Sequence, residues 1–403
     1  MSDVVIVGAG IAGIATAWAL TERGINDVVI VDRRKPLTLT SNRPEANYRT
    51  WWPHPAMVDL ATRSLEIVRD LIDDGDHIPM DRRGYLYISE SEAGAQALGG
   101  VVARHPATRL SRAEALDERD VRRRWPHLGP NVLGGIFVAN AGGLDTVALG
   151  RAMLDRAVAR GARVVEADGK DIRPTGSVLV DAAGPYARAL ARSWAADLAL
   201  ETVLRQKVVV RDRAQVVPRG APFTITLDGR SLAWTARERE RLSASAEGRR
   251  LLAPLPPGIH VKPDDNAGPD ALKIGWAWDQ RPVPPSDDPQ IPPDFPRMVQ
   301  LGASSFIPAL SAEEPVIAHE GGFYARTTDG RPLIGSFGAR MFAVAGLAGF
   351  GAMMACAAGE LAAALITGAK VDATMAAAFD PGRFDDPRYV EQVRNGGVPT
   401  GEL

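Results

Sequence analysis

The sequence contains a single cysteine, Cys356, among 403 residues. One thiol excludes an internal disulfide and suits a reducing compartment, so we expect a cytoplasmic protein. The net charge of -2 indicates neither nucleic acid nor an anionic membrane surface as a partner. Hydrophobic residues (45%) and charged residues (24%) match an ordinary globular chain, and no secretory signal is expected ahead of the first strand. These features favour a globular protein that binds small molecules.

Charge is also missing from residues 341–359, a run whose length alone would allow a membrane span. Three glycines, Gly346, Gly349 and Gly351, divide this run. We therefore predict a buried strand over 341–345, a glycine turn and an alanine-rich helix over 353–366, and no membrane span.

The first 32 residues follow the pattern of a dinucleotide-binding unit. Four β-branched residues precede Gly8, Gly10 and Gly13, a helical stretch follows, and a second apolar run ends in Asp32. The three glycines permit the tight turn, the approach of a pyrophosphate and close helix packing, respectively. The start of the helix offers N–H groups to phosphates, and Asp32 can accept hydrogen bonds from ribose hydroxyls. The stretch therefore predicts a dinucleotide site.

Two kinds of sequence pattern alternate along the remaining chain. Strand–glycine–helix units recur at 145–200 and 330–403, whereas β-branched or alternating segments and proline-rich loops occupy much of 201–329. We predict a discontinuous nucleotide-binding domain formed by 1–50, 145–200 and 330–403. An antiparallel-sheet domain for the substrate, formed by 51–144 and 201–329, would be inserted into it, with one charged helix over 236–250. The predicted fold class is α/β combined with α+β.

Five separated motifs, in this order, resemble the D-amino-acid oxidase superfamily of FAD-dependent oxidoreductases. They are VVIVGAGIAG, GGLDTVALGRAML, VLVDAAGPYA, ARTTDGRPLIG and AVAGLAGFGAMMACAAGELAAALI. Within the superfamily the chain is most similar to the branch of monomeric sarcosine oxidase and glycine oxidase. The resemblance implies an FAD-binding Rossmann-like domain of the GR2 type. It also implies FAD rather than a nicotinamide cofactor, because the second glycine-rich loop, 346–351, lies against the flavin in this superfamily.

The fingerprint and the resemblance together assign a set of positions to FAD. They are Gly8, Gly10, Ile11, Ala12, Gly13, Asp32, Arg33, Ser41, Asn42, Arg49, Ala183, Gly184, Arg331, Gly346, Gly349, Phe350, Gly351, Ala352 and Met353. Sarcosine oxidases hold FAD through a cysteine thioether just before the strand that resembles DGRPLIG. Residues 319–326, HEGGFYAR, contain no cysteine, and Cys356 fits a buried packing position. We therefore predict noncovalent FAD, and we predict no metal site.

The resemblance implies oxidation of an amine to an imine, with a hydride equivalent passing to the flavin. Lys273, in the segment LKIGW, matches the context of a lysine near flavin N5 in the sarcosine oxidase branch. There the lysine helps oxygen to reoxidise the flavin, which would give hydrogen peroxide. The alternative is an exposed strand lysine, because alternate residues of a strand face solvent.

A substrate carboxylate would pair with an arginine guanidinium. The candidates are Arg49, Arg326 and Arg331, of which Arg49 and Arg326 are assigned to catalysis together with Lys273; a surface ion pair is the alternative for each arginine. Further side chains could shape an aromatic pocket, namely Tyr48, Trp51, Trp52, His260, Trp276 and Trp278. On a regular strand, however, Trp276 and Trp278 fall opposite Lys273 and fit the core better.

The sequence thus predicts an FAD-dependent oxidase of an amino acid or secondary amine that uses oxygen as its acceptor. Two alternatives stay open. One is a dehydrogenase on the same fold that oxidises an amino acid or a 2-hydroxy acid and passes electrons to a quinone or a partner protein. The other is a flavin-binding subunit without turnover of its own in a multi-component dehydrogenase, against which Lys273 and the aromatic side chains argue.

Overall fold

The computed structural model describes residues 3–42, 47–105, 108, 110–173 and 176–396. In these ranges the strands, in chain order, are β1 (Val4–Val7), β2 (Val28–Asp32), β3 (Asn47–Arg49), β4 (Tyr85–Ser89), β5 (Glu114–Asp117), β6 (Gly134–Val138), β7 (Ala141–Gly143), β8 (Arg163–Glu166), β9 (Val178–Asp181), β10 (Glu201–Arg211), β11 (Phe223–Thr226), β12 (Ile259–Pro263), β13 (Ala271–Trp276), β14 (Val316–Arg326), β15 (Leu333–Gly338) and β16 (Met341–Ala345).

The α-helices of the same ranges are α1 (Ile11–Glu22), α2 (Pro55–Asp73), α3 (Glu92–Arg104), α4 (Glu118–Arg124), α5 (Thr146–Ala159), α6 (Ala187–Ser193), α7 (Ala236–Ser243), α8 (Ala246–Leu252), α9 (Phe295–Phe306), α10 (Gly351–Ile366), α11 (Ala373–Phe379) and α12 (Pro387–Arg394).

A six-stranded sheet carries the N-terminal fingerprint, with the strand order β15-β16-β9-β1-β2-β8. β1 lies inside the sheet and runs parallel to β2 and to β9, with Val7 opposite both Val31 and Asp181. Buried parallel strands read as continuous β-branched runs, which is the composition of β1 and β2. The carboxyl ends of β1, β2 and β9 therefore meet at one edge, where ligands bind in open α/β sheets.

The uncharged run of residues 341–359 forms β16, a glycine turn and the first half of α10, as predicted. α10 packs against α1 so closely that a Cβ on Gly359 would lie 2.5 Å from the carbonyl carbon of Ala15. Alanine and glycine on both helices permit this approach. Among the described helices, none combines the length and the apolarity that crossing a bilayer requires.

The second sheet has eight strands in the order β14-β10-β13-β12-β11-β4-β6-β5. Its pairs are antiparallel except for β11 and β4, which run parallel. The prediction of an antiparallel sheet is therefore wrong at that pair. More than 130 residues separate these two strands along the chain, which leaves ample length for the crossover that parallel pairing requires.

The two faces of this sheet differ. One face packs on a core that includes Ile259, Ile274 and Trp276 together with Met298 and Phe306 of α9. Alternate side chains of the opposite face, among them Tyr85, Phe223 and His260, line the larger cavity described below. The short ribbon of β3 and β7 lies beside this face.

One predicted helix is divided. The charged segment 236–250 forms α7 and α8 instead of one helix, because Ser245 caps the second helix by accepting a hydrogen bond from the Gly248 N–H at 2.9 Å. The domain boundaries given above stay a prediction.

Candidate functional site

A cavity of about 190 Å³ opens at the carboxyl edge of β1, β2 and β9. Its lining includes Gly8, Asp32, Arg33, Ser41 and Ala183, all of which the sequence assigned to the cofactor. Gly10 and Gly184 also line it. We call this space the dinucleotide cavity.

The backbone of the dinucleotide cavity depends on glycine. Gly8 has a φ of +115°, and a Cβ there would lie 2.3 Å from the Ala182 carbonyl oxygen. A Cβ on Gly13 would lie 1.9 Å from the Gly8 carbonyl oxygen, so only glycine lets α1 sit this close to the turn. Ile11 and Ala12 follow in the first turn of α1. Gly10, the N-cap of α1, lines the cavity, so the start of this helix lies where a pyrophosphate would bind.

Two polar side chains hold this turn. Asp32 Oδ2 accepts a hydrogen bond from the Ala9 N–H at 2.7 Å, and Ser41 Oγ accepts one from the Ile11 N–H at 3.0 Å. Asn42 follows Ser41 at the exposed end of a short 3-10 turn. The residues fit the ADP part of FAD, because N–H donors and hydroxyl-binding acceptors converge on one cleft.

A segment of the second sheet's half of the chain contacts residues that line the dinucleotide cavity. Asp287, from the proline-rich stretch 282–293, pairs with Arg33 at 2.8 Å and with Arg34, and the Tyr186 hydroxyl donates to it at 2.5 Å. The hydrogen bond from Tyr186 and the charge of Arg34 lower the pKa of Asp287. We call these four residues the Asp287 clasp.

A larger cavity of about 560 Å³ lies between the eight-stranded sheet and the start of α10. We call it the central cavity. Thr40 lines both this space and the dinucleotide cavity, so the two are neighbours along one cleft. Of the predicted site residues, the central cavity is lined by Arg49, Arg326, Gly349, Phe350 and Met353. A cleft with these two parts fits an extended dinucleotide whose ring end lies beside a substrate.

Arg49 is the most unusual charge in the central cavity. Its side chain is buried, with 6% of the residue exposed, and its Cζ lies 3.8 Å from the centre of the Trp52 ring. Its guanidinium donates a hydrogen bond to the Tyr87 hydroxyl. No carboxylate of the described ranges pairs with it. Burial raises the pKa of Tyr87, which keeps this hydroxyl neutral beside the cation.

Asn47 lies two residues before Arg49 and faces the same space, a position that the sequence analysis missed. Its Oδ1 accepts a hydrogen bond from Lys262 Nζ at 2.7 Å. Because an ammonium only donates, this contact fixes the amide so that Nδ2 is the other atom. Nδ2 is buried and has no hydrogen-bond partner in the described part of the chain. A buried donor of this kind fits a flavin or a ligand that supplies an acceptor.

Lys273 lies outside the central cavity, in a neighbouring cavity of about 270 Å³ that shares Asn47 and Phe223 with it. Lys273 is 8% exposed, and its Nζ lies 3.2 Å from Asp264 Oδ2. The alternative of an exposed strand lysine is therefore wrong. Lys262 is its cross-strand partner on the same face.

The two other candidate arginines have carboxylate partners. Arg326 lines the central cavity, but its guanidinium pairs with Glu201 at 2.8 Å and also donates to Gln280. Arg331 is buried in a separate network, 3.0 Å from Asp329 and 3.1 Å from His54 Nε2. Arg331 lines neither of the two cavities assigned to the cofactor.

The aromatic residues divide into two groups. A continuous row lines the central cavity, with ring centres 6.2 Å apart between Tyr87 and Tyr85, 4.6 Å between Tyr85 and Phe223, and 5.0 Å between Phe223 and His260. Of these four, only His260 was predicted. The alternation of GYLYIS, which puts both tyrosines on one face, was the available signal.

The other predicted aromatic residues mainly support the walls. Tyr48 points away and its hydroxyl donates to the Asp81 carbonyl oxygen at 3.1 Å, Trp51 stacks on His105, and Trp52 lies under Arg49. Trp276 and Trp278 pack with the core, as expected, although Trp276 also reaches the central cavity.

The glycine loop before α10 forms the opposite wall. Gly346 has a φ of +69°, and a Cβ on Gly349 would lie 2.8 Å from the Tyr324 ring. Gly351 and Ala352 begin α10, so its N–H groups lie beside the central cavity. Cys356 is buried in this helix, and burial raises the pKa of its thiol to about 12. Within the described ranges, no group of three or more histidine, cysteine or acidic residues could hold a metal.

Fold and site together define a class: a two-sheet enzyme with a Rossmann-type dinucleotide cleft that leads to a central cavity with a buried cation. The family model described as FAD dependent oxidoreductase matches residues 3–365, and the chain belongs to this family. Membership confirms the predicted fold class and the predicted FAD cofactor.

Two curated relatives match parts of the sequence. Monomeric sarcosine oxidase of Bacillus sp. (strain B-0618) is 27% identical over 192 residues, which cover 46% of this chain and 48% of that protein. An opine oxidase subunit of Rhizobium meliloti is 28% identical over 165 residues, which cover 38% and 43%. The chain thus spans about half the length of the curated relatives that it matches.

Solved structures match nearly the whole fold. Glycine oxidase from Geobacillus kaustophilus gives a TM-score of 0.73 at 19% identity and covers 95% of this chain and 97% of that one. L-proline dehydrogenase from P. horikoshii gives 0.72 at 20% identity, with 95% and 98% covered. At these identities the likeness is one of fold.

Proposed function

We propose that the chain oxidises the C–N bond of an amino acid or a secondary amine that carries a carboxylate. The observation that carries this proposal is Arg49, a buried guanidinium without a carboxylate partner in the described ranges that faces the central cavity. A buried cation is costly unless an anion or a polar partner offsets it. The carboxylate of the substrate would be that anion. The sarcosine oxidase and opine oxidase relatives support an amine substrate.

In this mechanism Arg49 binds the carboxylate, and Tyr87 and Trp52 fix the plane of its guanidinium through a hydrogen bond and a stacked ring. The orientation of Asn47, fixed by Lys262, presents a further donor at the same wall. The aromatic row forms one wall of the central cavity beside Arg49. Bound FAD would accept the hydride equivalent from the α-carbon. The amine proton leaves to solvent, and water then hydrolyses the imine.

We further propose that dioxygen takes the two electrons and two protons to give hydrogen peroxide. Lys273 would supply the nearby positive charge, as the resemblance to the sarcosine oxidase branch implies. A dehydrogenase is the second candidate function, and the 3.2 Å ion pair with Asp264 favours it, because the carboxylate offsets the charge of Lys273. A peroxide assay with and without an artificial electron acceptor separates the two functions.

The test of the main proposal is anaerobic bleaching of the flavin. N-methyl amino acids and amino acids should bleach it at least 100-fold more efficiently than the same amines without the carboxylate. Bleaching by 2-hydroxy acids alone, or equal efficiency with and without the carboxylate, would contradict the proposal.

The role of Lys273 has its own measurement. Lys273→Met should slow reoxidation of the dithionite-reduced enzyme by oxygen at least tenfold and change anaerobic reduction by less than threefold. The matched control is Lys370→Met, because Lys370 lies at the surface after α10. Equal effects on both half-reactions would remove the assigned role.

The predictions of noncovalent FAD and of a cytoplasmic location belong to this proposal. Phe323 and its neighbours on β14 provide no thiol, and Cys356 is buried in α10. Acid precipitation should therefore leave the yellow colour in the supernatant. A yellow pellet would contradict noncovalent binding.

A further inference from the structure

We propose that the substrate carries an extended apolar or aromatic group, and that the row Tyr85, Phe223 and His260 binds this group. The inference rests on the proposed function, because it places the substrate carboxylate on Arg49. It concerns the class of substrate, which separates this chain from enzymes whose substrate is glycine or N-methylglycine.

The row begins beside Arg49. The Arg49 Cζ lies 5.8 Å from the Tyr87 ring centre and 6.0 Å from the Tyr85 ring centre. From Tyr85 the rings continue through its cross-strand partner Phe223 to His260. An anion held by Arg49 therefore has an aromatic surface directly beside it.

The length of this surface exceeds that of a small amino acid. β4, β11 and β12 are adjacent strands, so the row spans two inter-strand spacings, about 10 Å. Glycine or N-methylglycine on Arg49 would cover only its first ring. Burying apolar substrate surface on the remaining rings would strengthen binding by about fourfold per methylene group.

A glycine leaves space for the imidazole of His260, the last ring of the row. His260 lies over its cross-strand partner Gly275, where a Cβ would be 2.3 Å from His260 Nε2. A glycine inside a β-strand weakens the strand, and it is found where another group must approach the backbone. Ile225, Pro256 and Pro257 extend the apolar lining beyond the imidazole. The far wall of the cavity is thus shaped for contact with an apolar ligand.

At the other edge of the same sheet face, charged residues of β10 and β14 line the central cavity. We call them the charged rim. Lys207 pairs with Glu320 at 3.2 Å, and Arg326 pairs with Glu201 at 2.8 Å. These pairs offset the charges of Lys207 and Arg326, and Arg205, which also lines the cavity, donates to the Asp279 carbonyl oxygen at 2.8 Å and to Gln280 at 2.7 Å. One anionic end and one apolar end define the substrate class.

The first experiment needs no turnover. Simple carboxylates without an amine (acetate, butanoate, hexanoate and 3-phenylpropanoate) are titrated into the FAD-loaded enzyme, and Kd is read from the flavin absorbance. Affinity should rise along the series, with 3-phenylpropanoate at least 50-fold tighter than acetate. Affinities within threefold of one another would overturn the inference.

Two variants locate the effect. Phe223→Leu should reduce the ratio of the two extreme affinities several-fold, and Ile225→Trp should weaken hexanoate and 3-phenylpropanoate at least tenfold while sparing acetate. The matched control is Phe337→Leu, because Phe337 packs on Trp194 in the six-stranded half of the molecule. A control that changed the ratio as much as Phe223→Leu would overturn the assignment to this row.

Turnover gives the last comparison. N-methylphenylalanine and N-methylleucine should exceed N-methylglycine by at least 50-fold in kcat/KM, measured by anaerobic bleaching. Graded carboxylate affinity without bleaching by any amine would contradict the proposed function and leave the apolar site standing. Efficient oxidation with N-methylglycine preferred would uphold the function and overturn the inference.

Discussion

The two ends of the cofactor cleft differ in what forms their walls: backbone atoms at the dinucleotide cavity, and side chains at the central cavity. The dinucleotide cavity is shaped by the backbone, because Gly8 and Gly13 let neighbouring backbone atoms approach to distances at which a Cβ would clash. The central cavity is shaped by side chains, because Arg49, Asn47 and the aromatic row project into it from strands of ordinary geometry. The first end tolerates no added atom at Gly8 or Gly13, whereas the second can be changed residue by residue.

This difference separates retention of the cofactor from choice of substrate. Changes at the backbone-built end should alter the amount of bound FAD. Changes at the side-chain-built end should alter kcat/KM and leave the flavin in place.

The largest effect is expected from Gly13→Ala. The added Cβ would lie 1.9 Å from a backbone oxygen that cannot move without opening the turn, so we expect a loss of at least about 3 kcal/mol and almost no bound FAD. The measurement is the ratio of flavin to protein absorbance after purification.

The control for Gly13→Ala is Gly99→Ala in α3. A Cβ there meets nothing within 4 Å, so this variant should keep its FAD and gain about 0.5–1 kcal/mol of stability. A normally loaded Gly13→Ala enzyme would refute the idea of a backbone-built end.

The second-largest effect is expected from Arg49→Met. Loss of the charge-assisted contact with a carboxylate costs about 3 kcal/mol, which lowers kcat/KM roughly a hundredfold, while FAD content stays within twofold of normal. Arg63→Met on the exposed face of α2 is the control. If Arg49→Met purifies without flavin and Arg63→Met does not, Arg49 belongs to cofactor retention instead.

Asp181→Asn should change stability by an amount that depends on pH. Burial raises the pKa of Asp181 to about 8, and Oδ2 has no hydrogen-bond partner in the described ranges. The folded state therefore favours the protonated acid. Native stability attributable to this group is fully present below about pH 4 and is lost, at up to roughly 1.4 kcal/mol per pH unit, as the pH rises towards 8.

An asparagine at position 181 does not titrate. The variant should match the parent in melting temperature at pH 4.5 and exceed it by several degrees at pH 8. Asp171→Asn, at an exposed position, should show no such divergence. Parallel melting curves for Asp181→Asn and the parent across this range would argue against a protonated Asp181.

The smallest effect is expected from the Asp287 clasp. Each surface ion pair contributes at most about 1 kcal/mol, so Asp287→Asn should speed FAD release about two- to fivefold, less at high salt, without changing kcat/KM. Release is followed by the rise of flavin fluorescence after dilution. The neighbouring Asp288→Asn should release FAD at the parental rate, and a clasp variant that does the same would show that the clasp does not retain FAD.

The backbone-built end could be predicted from the sequence almost completely. Glycines at fixed spacing, β-branched runs and Asp32 are local signals, and each has one physical interpretation. The run 341–359 was resolved in the same way, because its glycines divide it.

The side-chain-built end could be predicted only in part. Arg49 and Lys273 were found through similarity to known motifs, but the pairing of Lys273 with Asp264 and the fixed amide of Asn47 arise from strands that are distant in sequence. The parallel pairing of β4 with β11 was hidden for the same reason. It is this pairing that brings Tyr85 opposite Phe223 and so creates the aromatic row.

The contact between α1 and α10 determines how late in synthesis the nucleotide-binding half of the molecule can finish folding. β9 lies between β1 and β16, and Gly359 meets Ala15 across a helix crossing that joins the two ends of the sequence. A ribosome that has synthesised only the first 340 residues has produced neither β16, which joins β15 to β9, nor the second wall of the cleft. FAD can thus be enclosed only after synthesis has passed α10, and a chain that stops earlier should emerge without it.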